Sequence, residues 1–315
     1  MRETRRASRV LEPSAAARRR EQGGPCVGAA QSLGHQQQRV RAVIGIVIAT
    51  AFFGVSIHSA TSATITPIHA IQGSGSLSPL VGQTVTIQGI VTGWDDEIGA
   101  NFVRRFPEDR GLFVQEEPRD VDADPSTSEG IFIGYVADVT AYPLGTRVRV
   151  TGQVKEKFGQ TIIAESIGTE PVVVGSGVVT LPTAVTIDAE RATTQDPTTR
   201  PYYESLEGMR VRLSTGTANS GGTNKFGELF LTPGTTHDRV FRAEPIPALL
   251  ALDADAGAGN PSNPFEDADG STTEVHADLF DRVDGALGPL AFSFDHYKIM
   301  VQPDRLPVVT RGPTM

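Results

Sequence analysis

Three aspartates stand at alternate positions, Asp120, Asp122 and Asp124. Closely spaced carboxylates suit a calcium ion, and calcium-binding loops begin with this alternation. The sixth position of such a loop is Pro125, where an EF-hand requires glycine, so an EF-hand is excluded. Two alternatives remain open, a looser calcium site on these aspartates and a solvated acidic loop without an ion.

The spacings that mark common catalytic sites are missing from the sequence. It contains no HExxH, no GxSxG and no phosphate-binding loop, and its single cysteine is Cys26. His296 adjoins Asp295, but neighbours on a strand face opposite sides, so the two cannot form an orienting dyad without a bulge. The sequence therefore predicts no catalytic residue, although an unrecognised nuclease site stays an alternative.

Aromatic and basic residues cluster in the connections and at the ends of the predicted strands. Aromatic rings stack on bases while nearby cations contact phosphates, and each stacked base contributes about 1–3 kcal/mol. Phe113 alternates with polar residues on a strand, so a core position is the alternative for its ring. The candidate residues for contact with nucleic acid are Trp94, Arg104, Arg105, Phe113, Tyr135, Lys155, Lys157 and Phe158.

A β-hairpin over residues 147–163 must position the last three of these candidates. Polar and apolar residues alternate in two runs on either side of the turn 157–160, which contains glycine. A similar unit recurs at 282–301, with an aromatic residue and an aspartate in its turn. Further strands are predicted over 83–93, 111–116 and 130–135, the first with a bulge or bend at its central glycine, Gly89.

The second half of the sequence repeats this plan. Residues 203–211 match 78–85, and a long surface loop is predicted over 251–273, which is rich in Ala, Asp, Gly, Asn and Pro. Five short strands per unit are too few for an immunoglobulin-like sandwich. The predicted class is all-β, with two consecutive OB-fold-like five-stranded Greek-key barrels after a signal peptide.

An export signal is predicted before the barrels. Arg39 and Arg41 precede an apolar run from Ala42 to Ile57, and small residues end at Ala63, which suits signal-peptide cleavage. An uncleaved anchor is the alternative. Of the 28 basic and 37 acidic residues, nine arginines and three glutamates lie before residue 64, so the remainder carries 19 and 34, a net −15. Such a charge confines any nucleic-acid contact to a local basic patch.

The predicted boundaries follow from these patterns. Residues 1–41 form an Arg-rich disordered tail, which is a gene-model artefact if translation starts near Val40. Residues 42–63 are the hydrophobic and cleavage region, so the protein is expected to be secreted without a membrane span. The first barrel is expected over 64–178 and the second over 179–305, followed by a tail over 306–315.

Several strings resemble one family when taken in order. They are VGQTVTIQGIVTG, GLFVQEE, DADPSTSEGIFI and GTRVRVTGQVKEKFGQTII, followed by YESLEGMRVRL, KFGEL and DGALGPLAFSFDHYKIMVQP. Together they are similar to the N-terminal OB-fold region of secreted bacterial extracellular nucleases of the endonuclease/exonuclease/phosphatase class. The resemblance covers roughly residues 68–303.

In that family a catalytic domain with metal-binding Asn, Glu, Asp and His follows, whereas this sequence stops at Met315. The resemblance therefore implies a secreted, non-catalytic accessory region that binds single-stranded or irregular nucleic acid beside a nuclease domain. The alternative is a secreted structural or cell-surface adhesion module, stabilised by calcium, that does not bind nucleic acid.

Overall fold

A computed structural model of the chain describes residues 64–95, 110–164, 171–194, 201–219, 221–223, 228–235, 249–253, 275–302 and 305–312. All of them fall in one compact unit, Ala60–Met315. The predicted tail and signal peptide lie outside these ranges. In the part that is described, no helix combines the length and the apolar character needed to cross a bilayer.

Strands dominate the described residues. The first set is β1 (Thr84–Asp95), β2 (Gly111–Gln115), β3 (Gly130–Gly134), β4 (Thr146–Lys157), β5 (Gln160–Ala164) and β6 (Val172–Val178). The second set is β7 (Val185–Thr186), β8 (Arg210–Ala218), β9 (Glu228–Pro233), β10 (Leu250–Asp253), β11 (Arg282–Ser293), β12 (His296–Met300) and β13 (Val308–Thr310). The helices are α1 (Ile68–Gln72), α2 (Ala189–Thr194) and α3 (Pro201–Glu204), with a 3₁₀ turn at Val139–Ala141.

The first set forms a closed barrel. Its strand order is β1-β2-β3-β5-β4, and β4 pairs back onto β1, while β6 adds to the outer side of β4. The β3–β5 pairing is parallel and the others are antiparallel. Side chains at alternate positions of β4, such as Val148, Val150 and Val154, enter the core, as the alternating pattern predicted.

The second set repeats the same connectivity. Its order is β8-β9-β10-β12-β11, closed by pairing of β11 with β8, and β10 runs parallel to β12. Five strands in this order with one parallel contact are the arrangement of an OB-fold barrel. The predicted fold class, two consecutive OB-fold-like barrels, is confirmed. Strand β13 pairs with β11 and lies in the segment predicted as a C-terminal tail.

Each barrel has its own apolar core, closed by a segment that precedes its first strand. Ile68 and Ile71 of α1 are fully buried in the first core, and Tyr203 and Leu206 occupy the second. Complete burial of one such side chain contributes about 1.5–3 kcal/mol. The described core residues therefore include the lead-in as an integral part of the first barrel.

Two predictions about local structure are wrong. The irregularity in β1 lies between Val91 and Gly93 rather than at Gly89. Gly89 instead permits close packing, because a Cβ there would lie 2.6 Å from the carbonyl oxygen of Gln115. Residues 251–253, predicted as loop, belong to β10, whose side chains are buried. A four-residue strand is too short to show periodicity, so its partner strands determine its conformation.

The two barrels share a packed interface. The outward sides of β2, β3 and β5 carry Phe113, Phe132, Ile162 and Ala164, which cluster with Ala291 and Met300 of the second barrel. At one edge of the interface the backbones of the two barrels are in close contact, because a Cβ on Gly208 would lie 2.5 Å from the carbonyl carbon of Gly130. OB-folds commonly bind ligands on strands 2 and 3. In this molecule the second barrel covers that face of the first.

Candidate functional site

Phe113 was predicted as a platform for base stacking, and the structure corrects this. Its side chain is 1% exposed, and its ring centroid lies 4.9 Å from that of Phe132 within the barrel interface. No surface of the ring is left for a base. The alternative considered from its position on a strand, a packing role, describes its contacts.

Trp94 is half-buried and packs against the first core. Its backbone nitrogen donates to the side-chain oxygen of Gln302 and its carbonyl accepts from the amide of the same side chain, both at 3.3 Å. The end of β1 is thereby attached to the second barrel. Arg104 and Arg105, predicted from the same connection, lie outside the described residues.

Tyr135 and Lys155 lie together beside the barrel interface. The Lys155 ammonium is 5.9 Å from the centroid of the Tyr135 ring, within reach of a weak cation–π contact. Tyr135 is half-buried and has a positive φ of 66°. This pair therefore offers one cation and part of one ring to solvent.

The turn between β4 and β5 presents the most exposed of the predicted residues. Phe158 is 71% exposed, and the Lys157 ammonium lies 5.5 Å from its ring centroid. Phe158 and Gly159 have φ values of 52° and 89°, as a two-residue type I′ hairpin requires. The ring is therefore largely exposed to solvent and contributes little to the core.

The turn between β11 and β12 has a matching phenylalanine, which was not among the predicted site residues. Phe294 is 76% exposed with a φ of 50°, and Asp295 follows with 63°. The Lys298 ammonium is 5.5 Å from the Phe294 ring, but it also bonds Glu228 at 2.5 Å and Asp253 at 3.1 Å. Lys298 is thus neutralised locally. The repeat of the hairpin in the sequence was the signal that could have identified Phe294.

The first of these turns packs against the end of β11, the strand that leads into the second. A Cβ on Gly159 would lie 2.7 Å from the ring of Phe292, which precedes Phe294 by two residues. Lys157, Phe158 and Phe294 are called the hairpin-tip surface below. It combines two exposed rings with the ammonium group of Lys157, which lies beside the Phe158 ring.

The structure corrects the predicted calcium triad. Asp120 is exposed beside Arg119, and exposed Asp124 accepts a hydrogen bond from the Ser126 nitrogen at 2.9 Å. Asp122 accepts from the Asp124 nitrogen at 2.8 Å, so the alternation forms a local turn rather than a converging set of ligands. Among the described residues, these three aspartates do not form a group with metal-binding geometry.

A different cluster has that geometry, consisting of His69, Glu116 and Glu129. Nδ1 of His69 lies 3.1 Å from Oε2 of Glu116 and 3.4 Å from Oε2 of Glu129. On the other side of the ring, Nε2 lies 3.9 Å from Oδ2 of Asp122. Of the predicted triad, Asp122 alone approaches this His–Glu cluster.

Strand pairing places the two glutamates opposite each other. Glu116 continues the core-facing positions of Leu112 and Val114, and Glu129 precedes those of Ile131 and Ile133. The Glu116 nitrogen donates to the Glu129 carbonyl at 2.9 Å, which extends the β2–β3 ladder by one step. Helix α1 then covers this end of the barrel, and Glu116 accepts hydrogen bonds from the backbone nitrogens of Ile68 and His69.

Burial and like charge determine the electrostatics of the cluster. Burial, together with the neighbouring Glu116 carboxyl, raises the pKa of Glu129 to about 8. Burial by itself lowers the pKa of His69, but the carboxylates of Glu116, Glu129 and Asp122 outweigh it and raise that pKa. Oε2 of Glu129 is buried and has no hydrogen-bond partner. Sequence patterns did not reveal this cluster because Glu116 lies 47 positions after His69, and Glu129 lies 13 positions after Glu116. The signal available in the sequence was the presence of two glutamates at core-facing positions of strands.

The strand order places this chain among tandem OB-fold-like β-barrel proteins. Residues 173–311 match the family model "Domain of unknown function (DUF8508)". The chain is similar to the structure "Crystal structure of p204 HINb domain", with 9% identity, TM-score 0.32 and coverage of 73% of this chain and 98% of that one. It is also similar to "Structure of murine DNA binding protein bound with ds DNA", with 10% identity, TM-score 0.30 and coverage of 72% and 99%.

No curated protein matches the sequence. The resemblance to secreted nucleases therefore stays a prediction. The assignment of the barrels depends on their strand order and not on these distant structural similarities.

Proposed function

We propose that this chain binds single-stranded or irregular nucleic acid across the hairpin-tip surface, with bases stacked on Phe158 and Phe294. The observation that carries the proposal is the pair of exposed phenylalanine rings on two matching turns, the first of which packs against Phe292 near the second. Base–aromatic stacking tolerates any sequence, because every base has a π face.

The turn conformations support a role for these rings outside the fold. Type I′ turns favour Asn and Gly because both central residues have positive φ, and a bulky residue is unfavourable there. Both turns nevertheless have phenylalanine at the first central position, with φ of 52° and 50°. Local strain combined with exposure of an apolar ring is typical of functional positions.

The charge distribution limits the ionic part of binding. Lys157 stands beside the Phe158 ring and Lys155 is two residues away on β4, so we expect at most one or two contacts with phosphates. The net charge of −15 expected for residues 64–315 provides no long-range attraction. We therefore expect a shallow salt dependence, with a slope of log K against log salt of about −0.7 to −1.4 for single strands.

The test is binding of a fluorescently labelled oligothymidylate to the purified protein, followed by anisotropy. Phe158→Ala and Phe294→Ala should each weaken binding by roughly 5- to 150-fold, because one stacked base is lost in each. Leu77→Ala is the matched control, since Leu77 is 66% exposed and lies before β1. Absence of binding, or equal affinities of all four proteins, would contradict the proposal.

The same proposal includes two further points: the chain is exported, and it acts as an accessory region beside a nuclease domain. The apolar run 42–57 and the small residues before Thr64 support cleavage near Ala63. N-terminal sequencing of protein recovered from the culture medium should begin near Thr64. Recovery of the chain with its first 63 residues intact would contradict the predicted cleavage.

A further inference from the structure

We propose that His69, Glu116 and Glu129 bind one divalent transition-metal ion, best matched by Zn²⁺, which attaches helix α1 to the first barrel. The site differs from the predicted calcium triad in its residues and in its ion.

The distances in the His–Glu cluster agree with a tetrahedral centre. Bonds of about 2.0–2.1 Å from zinc to nitrogen and oxygen place neighbouring ligand atoms about 3.3–3.4 Å apart. Nδ1 of His69 lies 3.1 Å from Oε2 of Glu116 and 3.4 Å from Oε2 of Glu129. The three ligand atoms all lie within 4.8 Å of one another, so one ion can reach them with small side-chain adjustments.

The buried oxygen of Glu129 is the second, independent observation. Its side chain is 7% exposed, and Oε2 has no hydrogen-bond partner although it is directed at the His69 ring and the Glu116 carboxyl. Two carboxyl groups that face each other on paired strands cannot both ionise without a cost in stability, and a buried polar atom without a partner adds to that cost. A cation between the carboxylates removes both penalties.

The chemistry of the ligands selects the class of ion. Calcium and magnesium favour sets composed of oxygen, whereas an imidazole nitrogen with carboxylates suits zinc and its neighbours in the first transition series. Asp122, near Nε2 of His69, is placed to orient the imidazole from behind, as carboxylates often do at histidine-bound metals. Its role is therefore positioning and not direct binding.

The site has one solvent-facing side. The His69 side chain is 20% exposed, whereas those of Glu116 and Glu129 are 2% and 7% exposed. Three protein ligands leave a fourth position, which water fills from the exposed side. The ion connects α1 to residues 47 and 60 positions further along the sequence, so its binding should stabilise the docked lead-in.

The test uses the purified protein after dialysis against a chelator, with calorimetric titration by Zn²⁺, Mn²⁺ and Ca²⁺. One equivalent of Zn²⁺ should bind, and at about 100 times its Kd it should raise the Tm by roughly 5–10 °C. Glu129→Gln and His69→Gln should each weaken Zn²⁺ binding by at least about tenfold, and Asp122→Asn should weaken it less.

Asp124→Asn is the matched control, because Asp124 is an exposed acidic residue of the same connection, outside the His–Glu cluster. Glu129→Gln also removes one of the two ionisable carboxyl groups from this buried position, so without metal its Tm should equal or exceed that of the wild type. A Tm in that range shows that the Glu129→Gln variant still folds. The proposal is overturned if the wild type binds no Zn²⁺, if Ca²⁺ binds more tightly, or if Asp124→Asn loses as much affinity as Glu129→Gln.

Discussion

At the scale of single residues, the barrel interface contains a buried carboxyl group, that of Glu207, which belongs to neither of the two proposed binding sites. Glu207 accepts a hydrogen bond from the Thr161 nitrogen at 2.9 Å through Oε1, while Oε2 has no hydrogen-bond partner. Burial, and then the nearby Glu204 and Glu156 carboxylates, raise the pKa of Glu207 well above 4.5. The folded protein therefore retains the proton of Glu207 to a higher pH than the unfolded chain does.

The consequence is a stability that falls with rising pH. Below about pH 4.5 both states bind the proton, and above it the unfolded state releases the proton first, which lowers the free energy of unfolding. The decline is about 1.4 kcal/mol per pH unit until the folded pKa is reached. Glu207→Gln keeps the acceptor for Thr161 and should remove this decline, so it should be more stable than the wild type at pH 8.

Urea unfolding at pH 5, 6, 7 and 8 measures the effect. Glu190→Gln, a change on the exposed side of α2, is the control and should follow the wild type. A Glu207→Gln difference that does not grow between pH 5 and 8 would show that Glu207 is ionised in the folded protein.

At the scale of elements, we expect one substitution in the turn between β4 and β5 to raise the stability of the protein and to weaken its binding of nucleic acid. Phe158→Asn should raise the free energy of unfolding by about 1 kcal/mol, since asparagine tolerates positive φ. The same change removes the exposed ring and should weaken oligonucleotide binding. Thermal unfolding and anisotropy measure the two effects on one sample.

Leu77→Asn is the control for that change, because Leu77 is also exposed but is not among the described residues with positive φ. Its stability should stay within about 0.5 kcal/mol of the wild type. A loss of stability in Phe158→Asn would indicate that the ring packs in the folded protein, contrary to its exposure.

The hairpins also show what sequence patterns can predict. Alternation over 147–163 predicted β4, β5 and the turn, because one face of a half-buried strand is polar. The outward apolar residues of β2 and β3 could not be assigned in this way, since their partner is a second barrel distant in sequence. The His–Glu cluster was missed for the same reason, whereas the aspartate triad was overvalued because its spacing is local.

At the scale of the whole molecule, the interface between the barrels should make them unfold together. Gly130 begins β3 where the second barrel comes closest, and a Cβ on Gly130 would lie 2.1 Å from the carbonyl carbon of Gly208. The atoms of Gly208 that the added Cβ would meet belong to the backbone, so no side chain can rotate away to relieve the clash. The hydrogen bonds from the Arg210 nitrogen to Gln115 and from Ser128 to the Glu207 carbonyl cross at the same edge.

Gly130→Ala should therefore separate the barrels locally and lower the free energy of unfolding by about 1–3 kcal/mol, the usual cost of overpacking. Because each barrel keeps its own core, the single transition expected for the wild type should broaden or split in two. Gly75→Ala is the control, since its nearest neighbour is 3.9 Å from the added Cβ. Calorimetry gives both quantities, and a Gly130→Ala protein with an unchanged single transition would mean that the barrels do not depend on this contact.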